Sequence, residues 1–274
     1  MLPKFTKLEP GQRRIGRYGW TPDLPDHRDF LYAVPPHVTA VTLPPSVDLR
    51  PSCPPVYDQG QLGSCTANAI AGAIEFDQIK EKLPDFTPSR LFIYYNERVI
   101  EHDVQSDNGA QIRDGIKSVA SQGVCPETSW PYSDQTTDPN PCPTCPYAKK
   151  PPASCYAEAK KHTVKLYQRL TPVLNTLKGC LASGYPFVFG FTVYESFESQ
   201  QVAETGIVPM PAPNEKSVGG HAVVGVGYDD SKQLFIVRNS WGTGWGIKGY
   251  FMMPYAYLTN SNLADDFWTI RTVQ

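Results

Sequence analysis

Apolar residues recur at intervals of three and four positions through the first half of the chain, the spacing of helices that bury one face. This spacing predicts three helices, at residues 65–82, 89–101 and 111–122. Ser64 stands where a serine caps the first turn of a helix, and Gly123 stands where a glycine ends one. The first half is therefore predicted to be mainly helical.

The periodicity changes after a loop at residues 133–155 that is rich in proline and cysteine. Short β-branched or aromatic runs bounded by Gly, Pro, Asn and Asp predict strands at residues 186–194, 220–228, 233–238 and 249–253. Helices followed by strands indicate an α+β fold of two subdomains, at about residues 45–132 and 156–274. A functional site is expected in the cleft between them.

Residues 1–44 show neither helical nor strand periodicity and are dense in proline, charge and isolated aromatic residues. We predict that they form an extended N-terminal segment on the surface of a domain that spans residues 45–274. Two roles stay open for this segment: a structural wrap, and a propeptide-like segment that packs near the cleft and restrains activity.

Composition and charge argue against several classes of partner. The 274 residues include 25 basic and 27 acidic ones, a formal net charge of −2, without a block of like charges, so nucleic acid is not expected as a partner. No apolar run approaches the roughly 20 residues that span a bilayer, so no membrane partner is expected either. The N-terminus lacks the apolar stretch of a signal peptide. The expected location is the cytoplasm, or outside the cell if a signal sequence has been removed.

The sequence contains seven cysteines, an odd number, so at least one cannot form an intramolecular disulfide, and Cys65 is the candidate for that one. The pair Cys142 and Cys145 leaves two interpretations open: structural cysteines, free or disulfide-bonded, and a zinc site of four thiolates. A single pair at this spacing is weak support for zinc. We therefore predict no metal and no cofactor.

Cys65 follows a glycine-punctuated loop that begins at Gln59, and it stands in the first turn of a predicted helix. A helix N-terminus carries a partial positive charge and unpaired N–H groups, which favour thiolate over thiol. The backbone amide of Cys65 and the side-chain amide of Gln59 are predicted to donate to the oxyanion that forms when the sulfur attacks a carbonyl. Taken alone, however, a free cysteine is more often a small buried hydrophobic residue.

Two polar residues of the second half complete a candidate catalytic set. His221 begins a strand among glycines that leave space for approach, and a base is needed there to take or hold the thiol proton. Further along the chain, the Asn239 carbonyl can accept the imidazole N–H and fix the ring, while Trp241 can shield that bond from water. Alone, His221 could be a core histidine and Asn239 a turn residue.

Four short motifs follow one another along the chain: Asp58-Gln-Gly, Gly63-Ser-Cys65, Gly220-His221-Ala222 and Asn239-Ser-Trp-Gly-Thr-Gly-Trp-Gly246. In this order they resemble the papain and cathepsin family of cysteine peptidases, over about residues 45–255. The resemblance implies a papain-like fold of two subdomains, in which a helical N-terminal half packs against an antiparallel, β-barrel-like C-terminal half. The site would lie in the cleft between the two halves.

The resemblance also implies roles for individual residues in peptide-bond hydrolysis through a thioester acyl-enzyme. Cys65 would be the nucleophile, His221 the general acid and base, Asn239 the orienter of the imidazole, and Gln59 an oxyanion-hole donor. Asn108-Gly109-Ala110 is similar to the substrate-aligning loop of the family, although Ala110 replaces a glycine. The predicted substrate-binding residues are Gly109, Ala110, Gly220 and Trp241.

Two residues beside the predicted nucleophile depart from the family pattern. Leu62 stands where the family has a cysteine, and Thr66 stands where it has an aromatic residue. The first change removes a family disulfide, which suits a reducing compartment or a prokaryote-like branch of the family. The loop before Cys65 is therefore expected to be held by packing and helix capping.

The leading hypothesis is a cysteine-type endopeptidase that acts on peptides or proteins. Three alternatives use the same fold: an exopeptidase, for which the loop at residues 133–155 could capture a terminal charge, an acyl transferase, and a catalytically silent binding protein. A zinc-stabilised interaction module is the alternative from a different class.

Overall fold

The computed structural model of the chain describes residues 18–35, 43–136 and 140–273. The other residues of the predicted N-terminal segment, and residues 137–139 of the proline-rich loop, lie outside the described residues. Within the described ranges, no helix combines the length and the apolar character that crossing a membrane requires.

The chain forms mostly helices before residue 160 and mostly strands after it. The helices are α1 (Cys65–Glu81), α2 (Arg90–Ile100), α3 (Ile112–Gln122), α4 (Ala153–Ala159), α5 (Leu174–Ala182), α6 (Gln200–Thr205) and α7 (Tyr255–Leu258). The strands are β1 (Ser46–Asp48), β2 (Val164–Arg169), β3 (Phe187–Tyr194), β4 (Ser217–Asp229), β5 (Leu234–Arg238), β6 (Tyr250–Pro254) and β7 (Ala264–Val273).

The three predicted helices, α1 to α3, each begin and end within one residue of the predicted bounds. α1 is central, because it packs against α2 and α3 and also against β4 and β7. Its first four turns are buried, since every residue from Cys65 to Gln78 lies in the interior. A helix that is buried on all sides has its position fixed by the surrounding core. The thiol of Cys65 is therefore held between the helical half and the sheet.

The prediction that Ser64 caps α1 is wrong. Ser64 occupies the cap position, but its side chain makes no capping hydrogen bond. Its hydroxyl instead lies 2.6 Å from the Tyr132 hydroxyl and accepts a bond from Nδ2 of Asn68 at 3.1 Å. The competing partners, which are supplied by a distant loop and by the helix itself, turn the hydroxyl away from the first-turn amides. Gly123 does end α3, with φ at 77°.

The second half forms an antiparallel sheet with the strand order β2-β7-β3-β4-β5-β6, while β1 pairs with β4. The four predicted strands are β3 to β6, and β2 and β7 extend the sheet beyond β3. In the observed register, Val224 of β4 pairs with Arg238 at the end of β5. This places the residue after β5, Asn239, close to His221 on the neighbouring strand. The fold is α+β, as predicted.

The described part of the N-terminal segment, residues 18–35, crosses both halves of the molecule. Near its start, Thr21 N–H donates to the carbonyl oxygen of Ala110 in the helical half, and Trp20 N–H donates to that of Gly220 in the sheet. Further along, Tyr32 pairs with Arg169 at the end of β2. The segment is thus fastened to both halves, and three of its described residues, Gly19, Asp23 and Tyr32, are buried.

Cys142 and Cys145 form a disulfide with each other, so in this structure they are not thiolate ligands. The described free cysteines are Cys53, Cys65, Cys125, Cys155 and Cys180. No group of three or more metal-binding side chains occurs among the described residues.

Candidate active site

Cys65 is the first residue of α1, and its side chain is fully buried. The loop that leads to it is fastened at its start, because Gln59 N–H donates to the carbonyl oxygen of Ser240 at 2.9 Å. Ser240 belongs to the turn that follows β5. The loop therefore joins the helical half to the sheet, and the thiol lies at that junction.

His221 lies in β4, opposite Phe191 of β3, and its ring is buried. The imidazole Nε2 is 2.8 Å from Oδ1 of Asn239. Because an amide oxygen only accepts hydrogen bonds, this contact requires the hydrogen to be on Nε2. The contact therefore fixes both the orientation of the imidazole and its tautomer.

Trp241 packs beside this histidine. The centres of the Trp241 and His221 rings are 4.9 Å apart and the rings are inclined by 32°. Trp241 is itself buried, within an aromatic cluster that includes Phe197 and Trp245. The indole thus keeps water from the bond between His221 and Asn239, and a dry hydrogen bond is stronger than a hydrated one.

The backbone of β4 brings the histidine to the thiol. The backbone amides of Ala222, Gly19 and Thr66 lie near the sulfur of Cys65 and lower the pKa of its thiol. Ala222 directly follows His221 in the chain, and α1 packs against β4. The structure therefore places the predicted base and the predicted nucleophile at the same junction.

Burial raises the pKa of the Cys65 thiol to about 12, and the nearby Glu97 carboxyl adds to this, while the backbone amides of Ala222 and Gly19 oppose it. Desolvation disfavours the thiolate more than these amides favour it. In the covered site, burial therefore outweighs the predicted effect of the helix N-terminus on the thiol. Removal of the covering residues would let water reach the sulfur and lower the pKa.

Gln59 is held at both ends of its side-chain amide. Its Nε2 donates to the carbonyl oxygen of Leu62 at 3.0 Å, and its Oε1 accepts from the Ser240 hydroxyl at 2.6 Å. The backbone N–H of Ser240 also donates to Oδ1 of Asn239 at 2.9 Å. Ser240 thus links the two amide side chains of the site, a role that sequence reasoning missed although Ser240 lies within a recognised motif.

The two departures from the family pattern have different structural outcomes. Leu62 is fully buried in the core. The hydroxyl of Thr66 donates to Oε1 of Glu97 at 2.7 Å. Glu97 is itself buried, and burial raises the pKa of its carboxyl well above the ordinary value. Thr66 therefore provides a polar partner for a buried acid below the site.

Three of the four predicted substrate-binding residues contact the N-terminal segment. Ala110 donates its N–H to the carbonyl oxygen of Gly19 at 2.8 Å and accepts from Thr21, while Gly220 accepts from Trp20. Gly109 has φ at 83°, and a side chain there would overlap the backbone of Gly19. Trp241, the fourth residue, contacts His221 instead. The cleft is thus occupied by the chain itself.

The indole of Trp20 fills a pocket that sequence reasoning did not predict. A Cβ added at Gly190 or Gly220 would overlap the indole, so both positions must be glycine for the ring to fit. The indole Nε1 donates to Oδ2 of Asp266 at 3.1 Å. Asp266 lies in β7 and is buried.

A buried carboxylate cluster fastens the segment just beyond the pocket. The backbone N–H of Asp23 donates to Oδ2 of Asp266 at 2.7 Å, and the Asp23 carboxylate accepts from Nε1 of Trp268 at 2.9 Å. Arg169 pairs with Asp266 at 2.8 Å and lies 3.7 Å from Asp23. Burial, with a smaller effect of Asp266, raises the pKa of Asp23 from 3.8 to about 7.

This shift predicts how stability depends on pH. Between about pH 4 and pH 7 the folded chain holds a proton on Asp23 that the unfolded chain has lost, so the free energy of unfolding falls as pH rises through this window. In Asp23→Asn this contribution is absent, and the variant should gain up to about 4 kcal/mol relative to wild type from pH 4 to pH 7. Denaturant unfolding at a series of pH values measures this difference.

The absolute stability of Asp23→Asn is not the test, because an asparagine places an NH₂ group beside either Trp268 Nε1 or the backbone N–H of Arg113, both of which are donors. The test is how the difference in free energy of unfolding between Asp23→Asn and wild type changes with pH. If wild type and variant show parallel stability curves from pH 4 to pH 8, the assignment of this proton to Asp23 is wrong.

A thiol at a helix N-terminus, an imidazole oriented by an amide, and amide donors around the sulfur are the groups that acyl transfer through a thioester requires. The fold and the site together are those of a cysteine hydrolase.

Comparison with known proteins gives the family. Residues 43–268 match the model of the papain family cysteine proteases. An uncharacterized peptidase C1-like protein of Acanthamoeba polyphaga mimivirus is 44% identical, over 93% of this chain and 87% of that protein. The crystal structure of xylellain, a cysteine protease from Xylella fastidiosa, is 50% identical and has a TM-score of 0.89, covering 98% of this chain and all of that one.

The chain therefore belongs to the papain family of cysteine proteases and is a peptidase. A more distant structure, proCathepsin B S9 from Trypanosoma congolense, has a TM-score of 0.71 at 17% identity, over 94% of this chain and 87% of that one, and shares the fold. The papain-like architecture of two subdomains that the motifs implied is confirmed.

Proposed function

We propose that the protein is an endopeptidase whose cleft accepts a continuous polypeptide. The observation that carries this proposal is the extended stretch Gly19–Thr21, which is hydrogen-bonded to Ala110 on one wall and to Gly220 on the other. The chain continues past this stretch in both directions. A cleft that holds a chain without a free end suits cleavage within a polypeptide.

In the proposed reaction, the Cys65 sulfur attacks the carbonyl carbon of the scissile peptide and its proton passes to Nδ1 of His221. The oxyanion that forms would accept hydrogen bonds from Cys65 N–H and from Nε2 of Gln59. His221 then returns the proton to the leaving amine as the C–N bond breaks, which leaves a thioester on Cys65. Water, activated by His221, hydrolyses the thioester and regenerates the thiol. Asn239 keeps the imidazole in the required tautomer throughout.

The same observation supports autoinhibition by the N-terminal segment. The group of Gly19 that faces the Cys65 sulfur is its N–H, and its carbonyl oxygen is bound to Ala110. The sulfur therefore has the N–H of the Tyr18–Gly19 peptide beside it, and the carbonyl of the following Gly19–Trp20 peptide is engaged by the helical half. In this form the segment would block substrates without being cleaved itself. Proforms of this fold, such as proCathepsin B, are consistent with a covering N-terminal segment.

Peptides with blocked ends test the endopeptidase proposal. An N-acetylated, C-amidated decapeptide offers no terminal charge, so an exopeptidase that captures such a charge should leave it intact. We expect internal cleavage of this peptide at a rate within about tenfold of the same peptide with free ends, since an interior site contributes the binding energy. Mass spectrometry of the products identifies the bond that is cut.

Release of single residues or dipeptides from the free-ended peptide alone would favour the exopeptidase. Aminolysis products formed with an added amino acid amide, in excess of hydrolysis products, would favour the acyl transferase. A silent binding protein would cleave neither peptide.

A further inference from the structure

The peptide bond between Leu62 and Gly63 is held at both of its polar groups by side chains. Its carbonyl oxygen accepts from Nε2 of Gln59 at 3.0 Å, and its N–H donates to Oδ1 of Asp107 at 2.9 Å. Because this peptide bond is trans, its C=O and N–H point in opposite directions. A single peptide unit thus connects the carboxylate of Asp107 to the side-chain amide of Gln59.

Asp107 is a fixed point in the core of the helical half. Its side chain is fully buried, and the same oxygen that accepts from Gly63 also accepts from the hydroxyl of Tyr94 at 2.6 Å. Its backbone N–H donates to Oδ1 of Asn140 at 2.9 Å. Just before it, the guanidinium of Arg98 donates to the carbonyl oxygens of Val104 and Ser106, both at 2.9 Å. The Asp107 carboxylate is therefore held from several sides.

We propose that Asp107 is a positioning residue for oxyanion stabilisation, which it serves through the Leu62–Gly63 peptide and the amide of Gln59. A charged acceptor on the N–H polarises the peptide and strengthens its carbonyl oxygen as an acceptor. One hydrogen of Gln59 Nε2 is thereby fastened to Leu62, and the Ser240 hydroxyl fastens Oε1. Because the amide plane is fixed at both ends, the second hydrogen on Nε2 has one orientation, in which it donates to the oxyanion.

The inference explains what holds a loop that lacks the family disulfide. Leu62 cannot form that bond, and Ser64 does not cap α1. The buried hydrogen bond from Gly63 to Asp107 joins the loop before Cys65 to a residue that directly precedes the predicted substrate-aligning residues Asn108 and Gly109. A Cβ atom added at Gly63 would lie 3.0 Å from Oδ1 of Asp107, so the close approach of the two segments favours glycine at this position.

The inference rests on the proposed function, because it requires Gln59 to donate to a reacting carbonyl. The experiment therefore uses two probes of Cys65 in the full chain. A peptide aldehyde forms a hemithioacetal whose oxygen occupies the oxyanion site, whereas iodoacetamide alkylates the sulfur by displacing iodide and needs no oxyanion donor. The covering segment is the same in wild type and in the variants, so its effect on each probe cancels when the variants are compared with wild type.

Asp107→Ala should weaken inhibition by the aldehyde and lower kcat/KM by about 30- to 100-fold, somewhat less than the 10²- to 10³-fold typical for loss of a whole oxyanion donor. Alkylation by iodoacetamide should change by less than about threefold, since it needs no such donor. Asp107→Asn keeps an oxygen acceptor without the charge and should recover most of the loss. Gln59→Ala should reproduce the pattern of Asp107→Ala.

Tyr94→Phe is the matched control, because it removes a different donor to the same oxygen and leaves the bond from Gly63 in place. It should keep the wild-type ratio of aldehyde inhibition to alkylation. If aldehyde inhibition and alkylation of the Asp107 variants both fell equally, in proportion to a loss of folded protein, the role of Asp107 would be merely structural and the inference would be overturned. Aldehyde inhibition at the wild-type level in folded Asp107→Ala would also overturn it. Asp107→Asn and Gln59→Ala keep the comparison decisive if Asp107→Ala fails to fold. No turnover and no aldehyde inhibition in either wild type or Trp20→Ala, in which the cleft opens more often, would instead refute the proposed function, and the inference with it.

Discussion

Cys65→Ala is expected to remove peptidase activity, a loss of at least about 10⁴-fold in kcat/KM, because the remaining groups of the site cannot form a thioester. The fold should persist, since the substitution removes one buried atom from the first turn of a helix that is held on all sides. Hydrolysis of a quenched fluorescent peptide measures the loss. Labelling with an epoxide thiol reagent should give one adduct on wild type and none on the variant.

Cys53→Ala is the matched control. Cys53 is also a free thiol, but it is partly exposed and hydrogen-bonded to the carbonyl oxygen of Leu49, away from the cleft. The control should keep both turnover and labelling. His221→Ala should lose the labelling while it keeps Cys65. Residual turnover in Cys65→Ala near the wild-type rate would assign the chemistry to another group.

Trp20→Ala is expected to raise kcat/KM of the full chain by about 30- to 150-fold, because burial of a large aromatic side chain is worth about 2–3 kcal/mol and each 1.4 kcal/mol is a factor of ten. The substitution also removes the hydrogen bond from the indole to Asp266. The cleft would then open more often to substrate. The measurement compares turnover of one peptide by the two full chains at the same concentration.

Leu24→Ala is the control for this variant. Leu24 belongs to the same segment, but its side chain is 69% exposed, so its truncation should leave turnover unchanged. Equal turnover of folded Trp20→Ala and wild type would argue against inhibition by the segment and favour a structural wrap.

The sequence predicts the helices of the first half closely and the sheet only in part. α2 and α3 are predictable because their apolar residues keep one period over about three turns. α1 is predicted to bury one face but is buried on all sides. β2 was missed because Leu166, an apolar residue in mid-strand, is exposed, and the register of the strand shifts beside it. β7 was missed because its Asp265-Asp266 pair is typical of a turn, and Asp266 indeed has φ at 56°.

The candidate site likewise contains residues that short sequence motifs predict and residues whose contacts join distant positions of the chain. Cys65, His221, Asn239 and Gln59 each lie in a short motif, and the structure brings these motifs together at one junction. The contacts of Trp20 with Asp266, which is 246 positions away, and of Gly63 with Asp107 leave no periodic pattern in the sequence. Such contacts follow from the tertiary arrangement, and their roles become visible only when the chain is folded.

The pocket between Gly190 and Gly220 holds a side chain of the same molecule, which under the proposed autoinhibition acts as a competing ligand. A tethered ligand acts at an effective concentration on the order of millimolar, however dilute the protein is. The apparent affinity for any substrate is then the intrinsic affinity reduced by the fraction of molecules whose cleft is open. A KM measured on the full chain would therefore depend both on the opening of the cleft and on the binding of substrate to the open cleft. A substitution at Gly190 could change that KM without altering a single contact to the substrate.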